Sequence, residues 1–217
     1  MSMGRPLDDA LGTRSQVRVL RTLHRLLPGI VLSGRDVARR AGVSHPSATS
    51  GLRTLVDLGL VRVRRARRAD YYELNRDHAL ADDMARLFDR EAHLRDELVG
   101  FIRDQLIGHR LPLSEAYLFG SAARGEHGPT SDIDVALICA QEDRSHVEEV
   151  AAGPIADAIV GRFGGRLSPM VASPTLAALK DPAADGHALW EQVAREGIPI
   201  LKRSGQRDGE ATQNGGG

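Results

Sequence analysis

The sequence is poor in the residues and runs that mark several protein classes. It has one cysteine, Cys139, so no disulfide can close within the chain. No apolar run approaches the roughly 20 residues of a membrane span, and the first residues lack the apolar core of a signal peptide. These absences lead us to expect a cytoplasmic protein. Eight histidines are scattered without a His-x-His or His-Glu-x-x-His spacing, which argues against a zinc centre. There is no internal repeat. Lysine is nearly missing: Lys180 and Lys202 are the only two among 29 basic residues. Arginine bias suits phosphate recognition, although a GC-rich genome produces the same bias.

Net charge is also missing, but only on average. With 29 basic and 29 acidic residues the formal charge is zero. Residues 1–76 hold 15 basic and 6 acidic residues, and the remainder holds 14 and 23. The first third is therefore strongly cationic and the rest anionic, as expected if one part meets a polyanion. Hydrophobic content of 41% and charged content of 27% fit a folded chain.

The patterning predicts two domains. Residues 13–27 place Val17, Leu20, Leu23, Leu26 and Leu27 on one helical face, and Pro28-Gly29 ends that helix. Ser33 caps a second helix, with Asp36 three residues on as a near capping box. Ala41-Gly42-Val43-Ser44 is a tight turn, and a third helix runs from His45 to Leu58 with Pro46 in its first turn. Two β-like runs, 60–63 and 71–74, flank an arginine-rich tip. Residues 77–109 read as one long helix, with Leu80, Met84, Leu87, Leu94, Leu98 and Phe101 at steps of three and four. That helix bridges the domains, forms part of a dimer seam, or packs as a surface helix. After Pro112 strands and helices alternate: strands at 115–119, 133–138 and 166–172, a helix at 145–163, helices at about 174–180 and 184–196, and a last strand at 198–201. The expected organisation is a helical domain with a β-hairpin at 10–76, a linker helix at 77–110, an α/β domain at 111–202 and a disordered tail at 203–217.

Two helices joined by a short turn allow the second to enter a major groove. Val37 and Ala38 face the core, and Leu52, Leu55 and Val56 anchor the third helix. That leaves Ser44, His45, Ser47, Ala48, Thr49 and Arg53 to meet DNA, through phosphates or base edges. Arg62, Arg64, Arg65, Arg67 and Arg68 on the following hairpin would reach phosphate or the minor groove. Residues 13–76, ending in a "LxxLxxLGLVxxxR" phrase and a basic hairpin, resemble winged helix-turn-helix regulators of the MarR and ArsR kind. Such modules also bind proteins; the cationic charge favours double-stranded DNA here.

The second constellation is Leu118-Phe119-Gly120-Ser121-Ala122-Ala123-Arg124-Gly125, followed by Ser131-Asp132-Ile133-Asp134. A strand running into Gly-Ser at a helix start offers N–H groups and a hydroxyl to a phosphate, and Gly120 permits close approach. Asp132 and Asp134 stand two apart on a strand and share a face. Beside a triphosphate such a pair can hold Mg²⁺, with Mn²⁺ as an alternative. Leaving the two carboxylates together without a cation would be costly. The stretch resembles the signature of minimal nucleotidyltransferases of the DNA polymerase β superfamily, over residues 113–172. That resemblance implies Ser121 on the phosphates and Asp132 and Asp134 as metal ligands. Ser131 caps or orients the turn before the strand. Arg124 either touches phosphate or pairs with a nearby acid.

One departure matters. Active members carry a third carboxylate on a later strand, where this chain offers Ser168 or Met170; Glu148, Glu149 and Asp157 on the preceding helix are substitutes that spacing alone does not place. Losing the activating carboxylate should remove about 10²–10⁴-fold of rate. The expected protein is an α/β two-domain chain, a winged helix-turn-helix followed by a small mixed-sheet nucleotidyltransferase-like domain. Its expected role is that of a dimeric DNA-binding regulator that binds Mg-NTP with weak or no turnover. The alternatives are an active transferase moving NMP from NTP to a hydroxyl, and an antitoxin-type protein modifier. Arg103 and His109 also resemble the Arg-x5-His motif of HEPN ribonucleases, but the chain lacks room for that bundle.

Overall fold

The computed structural model describes residues 11–125, 131–173 and 187–202. The chain divides into two compact units, Met1–His93 and Leu94–Gly217.

The first unit begins with α1 (Arg14–His24), capped by the Thr13 hydroxyl, which accepts from the Gln16 N–H at 3.1 Å. Its buried positions are Gln16, Val19, Leu20 and Leu23. This differs from the expected face: the helix stops at His24, so Leu27 lies beyond it and is 76% exposed. A two-residue strand β1 (Leu32–Ser33) runs directly into α2 (Gly34–Ala41). Ser33 caps α2, accepting from the Asp36 N–H at 3.2 Å while donating its own hydroxyl to Asp36 at 2.6 Å. This bond, with Arg39 further off, holds the Asp36 carboxyl below the ordinary range. Gly42 ends α2 at φ 61°, a left-handed conformation that glycine adopts without strain. The Arg18 guanidinium braces this turn by donating to the Gly42 carbonyl at 3.0 Å. Helix α3 (His45–Asp57) follows, then the hairpin strands β2 (Val61–Arg65) and β3 (Asp70–Leu74). The three strands form an antiparallel sheet in the order β1-β3-β2. Leu20, Leu23, Leu52, Leu55 and Leu60 are fully buried between these elements, each worth about 1.5–3 kcal/mol of burial. Strand β1 was not legible as a strand, because two residues carry no period.

Helix α4 (Ala81–Gly108) starts later than the expected 77, and the boundary between the units falls within it. Its buried positions also differ. Leu87 and Leu94 are 58% and 43% exposed, whereas Val99, Ile102 and Leu106 are buried along with Leu98. A seven-residue repeat drifts about 20° per heptad on a straight helix, so the apolar stripe slides off the face that packs.

The second unit is a four-stranded mixed sheet in the order β6-β5-β4-β7, where β4 is Leu113–Phe119, β5 Ile133–Cys139, β6 Leu167–Ala172 and β7 Ile198–Lys202. Strands β5 and β6 are parallel, and the other pairs are antiparallel. Pro169 and Pro199 lie in the edge strands, where a missing N–H is tolerated. A short helix α5 (Gly120–Arg124) follows β4 directly. Helix α6 (Arg144–Val150) passes through a π-helical turn at Ala151–Ile155, which holds Pro154, into α7 (Ala156–Phe163). Helix α8 (His187–Glu196) precedes β7. The expected helix at 174–180, the start of the one at 184–196 and the tail at 203–217 lie outside the described residues.

Alternation along β5 assigns the two faces of the sheet. Ile133, Val135, Leu137 and Cys139 pack with Ile102, Leu106, Val147, Ala151, Ile155 and Ile159. Ala136 and Ile138 pack with Tyr117, Phe119, Trp190 and Val193. Cys139 is buried, and burial raises its thiol pKa. Arg103 donates to the Ile200 carbonyl at 2.8 Å, a structural role that accounts for this arginine. No described helix is long and apolar enough to cross a membrane.

Candidate functional site

Two sites emerge, one in each unit. In the first, α3 presents its N-terminal turn. Ser44 is the cap: its hydroxyl accepts from the Ser47 N–H at 3.3 Å and lies 2.8 Å from the Ser47 hydroxyl. The Thr49 hydroxyl donates to the His45 carbonyl at 2.9 Å. Ser44, Ser47 and Thr49 thus already serve the helix. His45 and Arg53 are exposed. Ala48 is fully buried and cannot meet DNA, which corrects the expectation for that position. It falls on the helix face that carries Leu52 and Leu55, four and seven residues on.

The wing arginines divide in two. Arg62 donates to Asp77 at 2.6 Å, and Arg64 donates to Glu73 at 2.9 Å. Arg65, Arg67 and Arg68 stay exposed at the tip, with no ion pair among the described residues. Arg68 lines a surface groove with Arg35, His45, Thr49 and Tyr72. Burial raises the pKa of the Tyr72 hydroxyl, and the charge of Asp70 adds to the effect. Arg35 and Tyr72 were not foreseen. Arg35 lies in the first turn of α2 and Tyr72 in β3, and only β1–β3 pairing brings them together.

In the second unit, β4 leads into Gly120 and Ser121, Asp134 lies on β5, and Asp132 stands just before that strand. The antiparallel register sets Phe119 opposite Asp134, so Gly120 begins α5 beside that carboxylate. Gly120 has φ +69°, and a Cβ built there would run into the Asp134 Oδ2. The glycine is therefore required, but the group that fills its missing side-chain space is Asp134 of this chain. Ser121 is the half-buried second residue of α5, and Ser131 is half-buried just before β5. Arg124 donates to Glu196 at 2.8 Å, so an acid of the chain lies within its reach. Glu196 is held below the ordinary carboxylate range, first by the Gln192 amide at 2.5 Å and then by Arg124.

The parallel register places Ser168 beside Asp134 and Met170 beside Ala136. Glu148, Glu149 and Asp157 lie on α6 and α7, which pack on the face of Val135 and Leu137. Asp134 alternates onto the other face, so those three acids are no substitutes for the absent carboxylate. Glu148 is instead paired with Arg144 at 2.8 Å. Among the described residues no three His, Cys, Asp or Glu side chains cluster as metal ligands do. A residue not anticipated from the sequence, Arg166, reaches Asp132 at 3.1 Å.

Compared with known families, residues 13–69 match the profile of the MarR family, and residues 103–161 match that of the nucleotidyltransferase domain. The chain joins a MarR-family region to a nucleotidyltransferase domain. The second match covers β4, α5, β5 and α6 and ends before β6, so it includes Gly120, Ser121, Asp132 and Asp134. No curated protein matches the chain. Similar solved structures include fragment 1–100 of a possible transcriptional regulatory protein from Mycobacterium bovis, at 25% identity, covering 42% of this chain and 88% of that one with a TM-score of 0.31. Another is the homodimeric winged helix-turn-helix DNA-binding domain of a possible ArsR-family regulator from Mycobacterium bovis, at 26% identity, 42% and 77% coverage and a TM-score of 0.31. A toxin-antitoxin with AMP-PNP is 19% identical, with 48% and 73% coverage and a TM-score of 0.31.

Proposed function

We propose that the protein is a transcriptional regulator whose MarR-family domain binds double-stranded DNA and whose nucleotidyltransferase domain binds Mg-NTP with little or no turnover. The observation that carries the second half is the pairing of Asp134 with Ser168 rather than with an acid. Magnesium is commonly held by one or two carboxylates plus substrate phosphates, keeping several waters. Asp132 and Asp134 supply that number of hard oxygen donors, so the donor set fits a nucleotide-borne Mg²⁺ or Mn²⁺. When bound, the metal supplies charge neutralisation for the phosphates. Gly120 and Ser121 bind and orient the triphosphate, and Arg124 with Glu196 and Ser131 with its turn keep α5 and β5 in place. Ser168 is not basic enough to take a proton from an acceptor hydroxyl at neutral pH, so the general-base share of the rate, about 10²–10⁴-fold, is lost.

On the DNA side, Arg65, Arg67 and Arg68 meet phosphates, and His45 and Arg53 face base edges or phosphates. Arg62 and Arg64 contribute less, because acids of the chain already hold them. Two copies would read a two-fold site; Leu87, Leu94 and Ile107 of α4 are among the exposed apolar residues that such pairing could use.

The test is calorimetric titration of the four NTPs with Mg²⁺ into wild type and Asp132→Asn/Asp134→Asn, alongside an assay for released pyrophosphate. Binding by wild type alone, without pyrophosphate, is the expected result. Pyrophosphate release at a rate of ordinary enzymes would overturn the regulator reading in favour of an active transferase. Binding to random DNA, followed by fluorescence anisotropy, should weaken steeply with salt; salt-independent affinity would exclude the arginine wing as a phosphate grip.

A further inference from the structure

Arg166 stands at the rim of the carboxylate pair. Its carbonyl accepts from the Ile133 N–H at 2.8 Å, which ties its backbone to the start of β5, one residue from Asp132. Its Nη2 donates to Asp132 Oδ2 at 3.1 Å. The arginine side chain is 77% exposed and the aspartate 39%. A pair this open is weak and salt-screened, and its partners separate readily. One of the oxygens that a divalent cation would use therefore already carries a cation, and a full positive charge stands beside the place the metal would take.

We propose that Arg166 is a resident counter-ion of Asp132 that competes with free divalent metal until the triphosphate of an NTP takes the guanidinium over. This rests on reading Asp132 and Asp134 as the metal-binding pair. A guanidinium prefers a phosphate's paired oxygens, which accept its parallel N–H donors. Metal and nucleotide then help one another: the nucleotide clears Arg166 from the carboxylate, and by linkage each ligand raises the affinity for the other. The domain then binds metal and nucleotide together more readily than metal alone.

The experiment is Mn²⁺ binding by the full chain, followed by electron paramagnetic resonance, for wild type, Arg166→Gln, Arg166→Lys and Asp132→Asn, each with and without ATP. Removing a unit charge next to a divalent ion should tighten binding of Mn²⁺ alone by about three- to tenfold in Arg166→Gln. Arg166→Lys, which keeps the charge, should stay near wild type. With ATP present the gap between wild type and Arg166→Gln should close or reverse. Arg166→Gln binding Mn²⁺ alone no tighter than wild type overturns the proposal, as does a gap that ATP leaves unchanged. If Asp132→Asn binds Mn²⁺ as wild type does, or if no form binds it, the metal-pair reading falls and takes the proposal with it. Loss of Mn²⁺ in Asp132→Asn, with Arg166→Gln unchanged, overturns the proposal alone.

Discussion

Replacing Gly120 with alanine tests the contact on which the nucleotide site is built. The substitution has two separable costs. An alanine at φ +69° leaves the region that L residues favour, at about 1–2 kcal/mol. Its Cβ also meets the Asp134 carboxylate, which must move or push α5 away, at about 1–3 kcal/mol. Gly120→Ala should therefore destabilise the chain by roughly 2–5 kcal/mol, read as a shift of the urea midpoint at constant slope. The second cost depends on the carboxylate alone. In an Asp134→Ala background, the nearest remaining side-chain atom is Asp134 Cβ at 3.4 Å, an ordinary contact, so only the backbone cost survives. The double-mutant cycle should show a coupling of about 1–3 kcal/mol. Additive effects would refute the account of Gly120 as a seat for Asp134, and would leave its conformation as the only reason for the glycine.

Three further outcomes follow from the same structure. The Tyr117 hydroxyl is pushed up to about 12, first by burial and then by its hydrogen bond to Glu115, from an ordinary value of 10.0. The folded protein keeps this proton after the unfolded chain has lost it, so stability is intact below pH 10 and falls between pH 10 and about 12, by about 2–3 kcal/mol in all. Tyr117→Phe should flatten that fall in alkaline urea titrations. Arg67→Ala/Arg68→Ala should lower the slope of DNA affinity against salt by about two, near one per phosphate contact; Arg62→Ala, which removes a partner of Asp77, should lower it less. Ser33→Ala removes the cap of α2 and should cost about 1 kcal/mol of stability, with acid sensitivity changed as well: Asp36, held low chiefly by Ser33, supplies stability that is lost as pH falls through its folded pKa, and the variant should lose less over that range.

What was legible in the sequence was what local chemistry settles. Ser33 and Gly42 cap and end α2 by a side-chain oxygen and by φ freedom, and the α2–turn–α3 unit could be read from them. The two-residue spacing of Asp132 and Asp134 suggested a shared face; Asp134 lies on β5 and Asp132 just before it. Contacts across the fold were not legible. Arg62 and Arg64 look like free wing charges until the chain returns with Asp77 and Glu73. Ala48 looks like a surface residue of a recognition helix until Leu52 and Leu55 define which side is inside. The steps of three and four through Leu87 and Leu94 left a bridge, a dimer seam and a surface helix open, and they did not reveal that the second unit packs Val99, Ile102 and Leu106 along with Leu98.

The most informative of these gaps lies at the acids. Strand register decided which residues could join Asp132 and Asp134, and register is a property of pairing that no spacing along the chain reveals. The parallel β5–β6 pairing offers Ser168 to Asp134 and brings Arg166 to Asp132, while the acids of α6 and α7 stay across the sheet. Both changes act in one direction. An acid less at Ser168 and a guanidinium more at Asp132 each reduce the negative charge that would draw in free metal. A site reduced in this way still suits a ligand that brings its own phosphates and metal together, because the nucleotide carries the oxygens the protein has given up. A transfer reaction would also need a base for the proton of an acceptor hydroxyl, and β6 offers Ser168 and Met170 at the positions beside Asp134 and Ala136. The same register is what the proposed reading, a domain that holds nucleotide with little turnover, rests on.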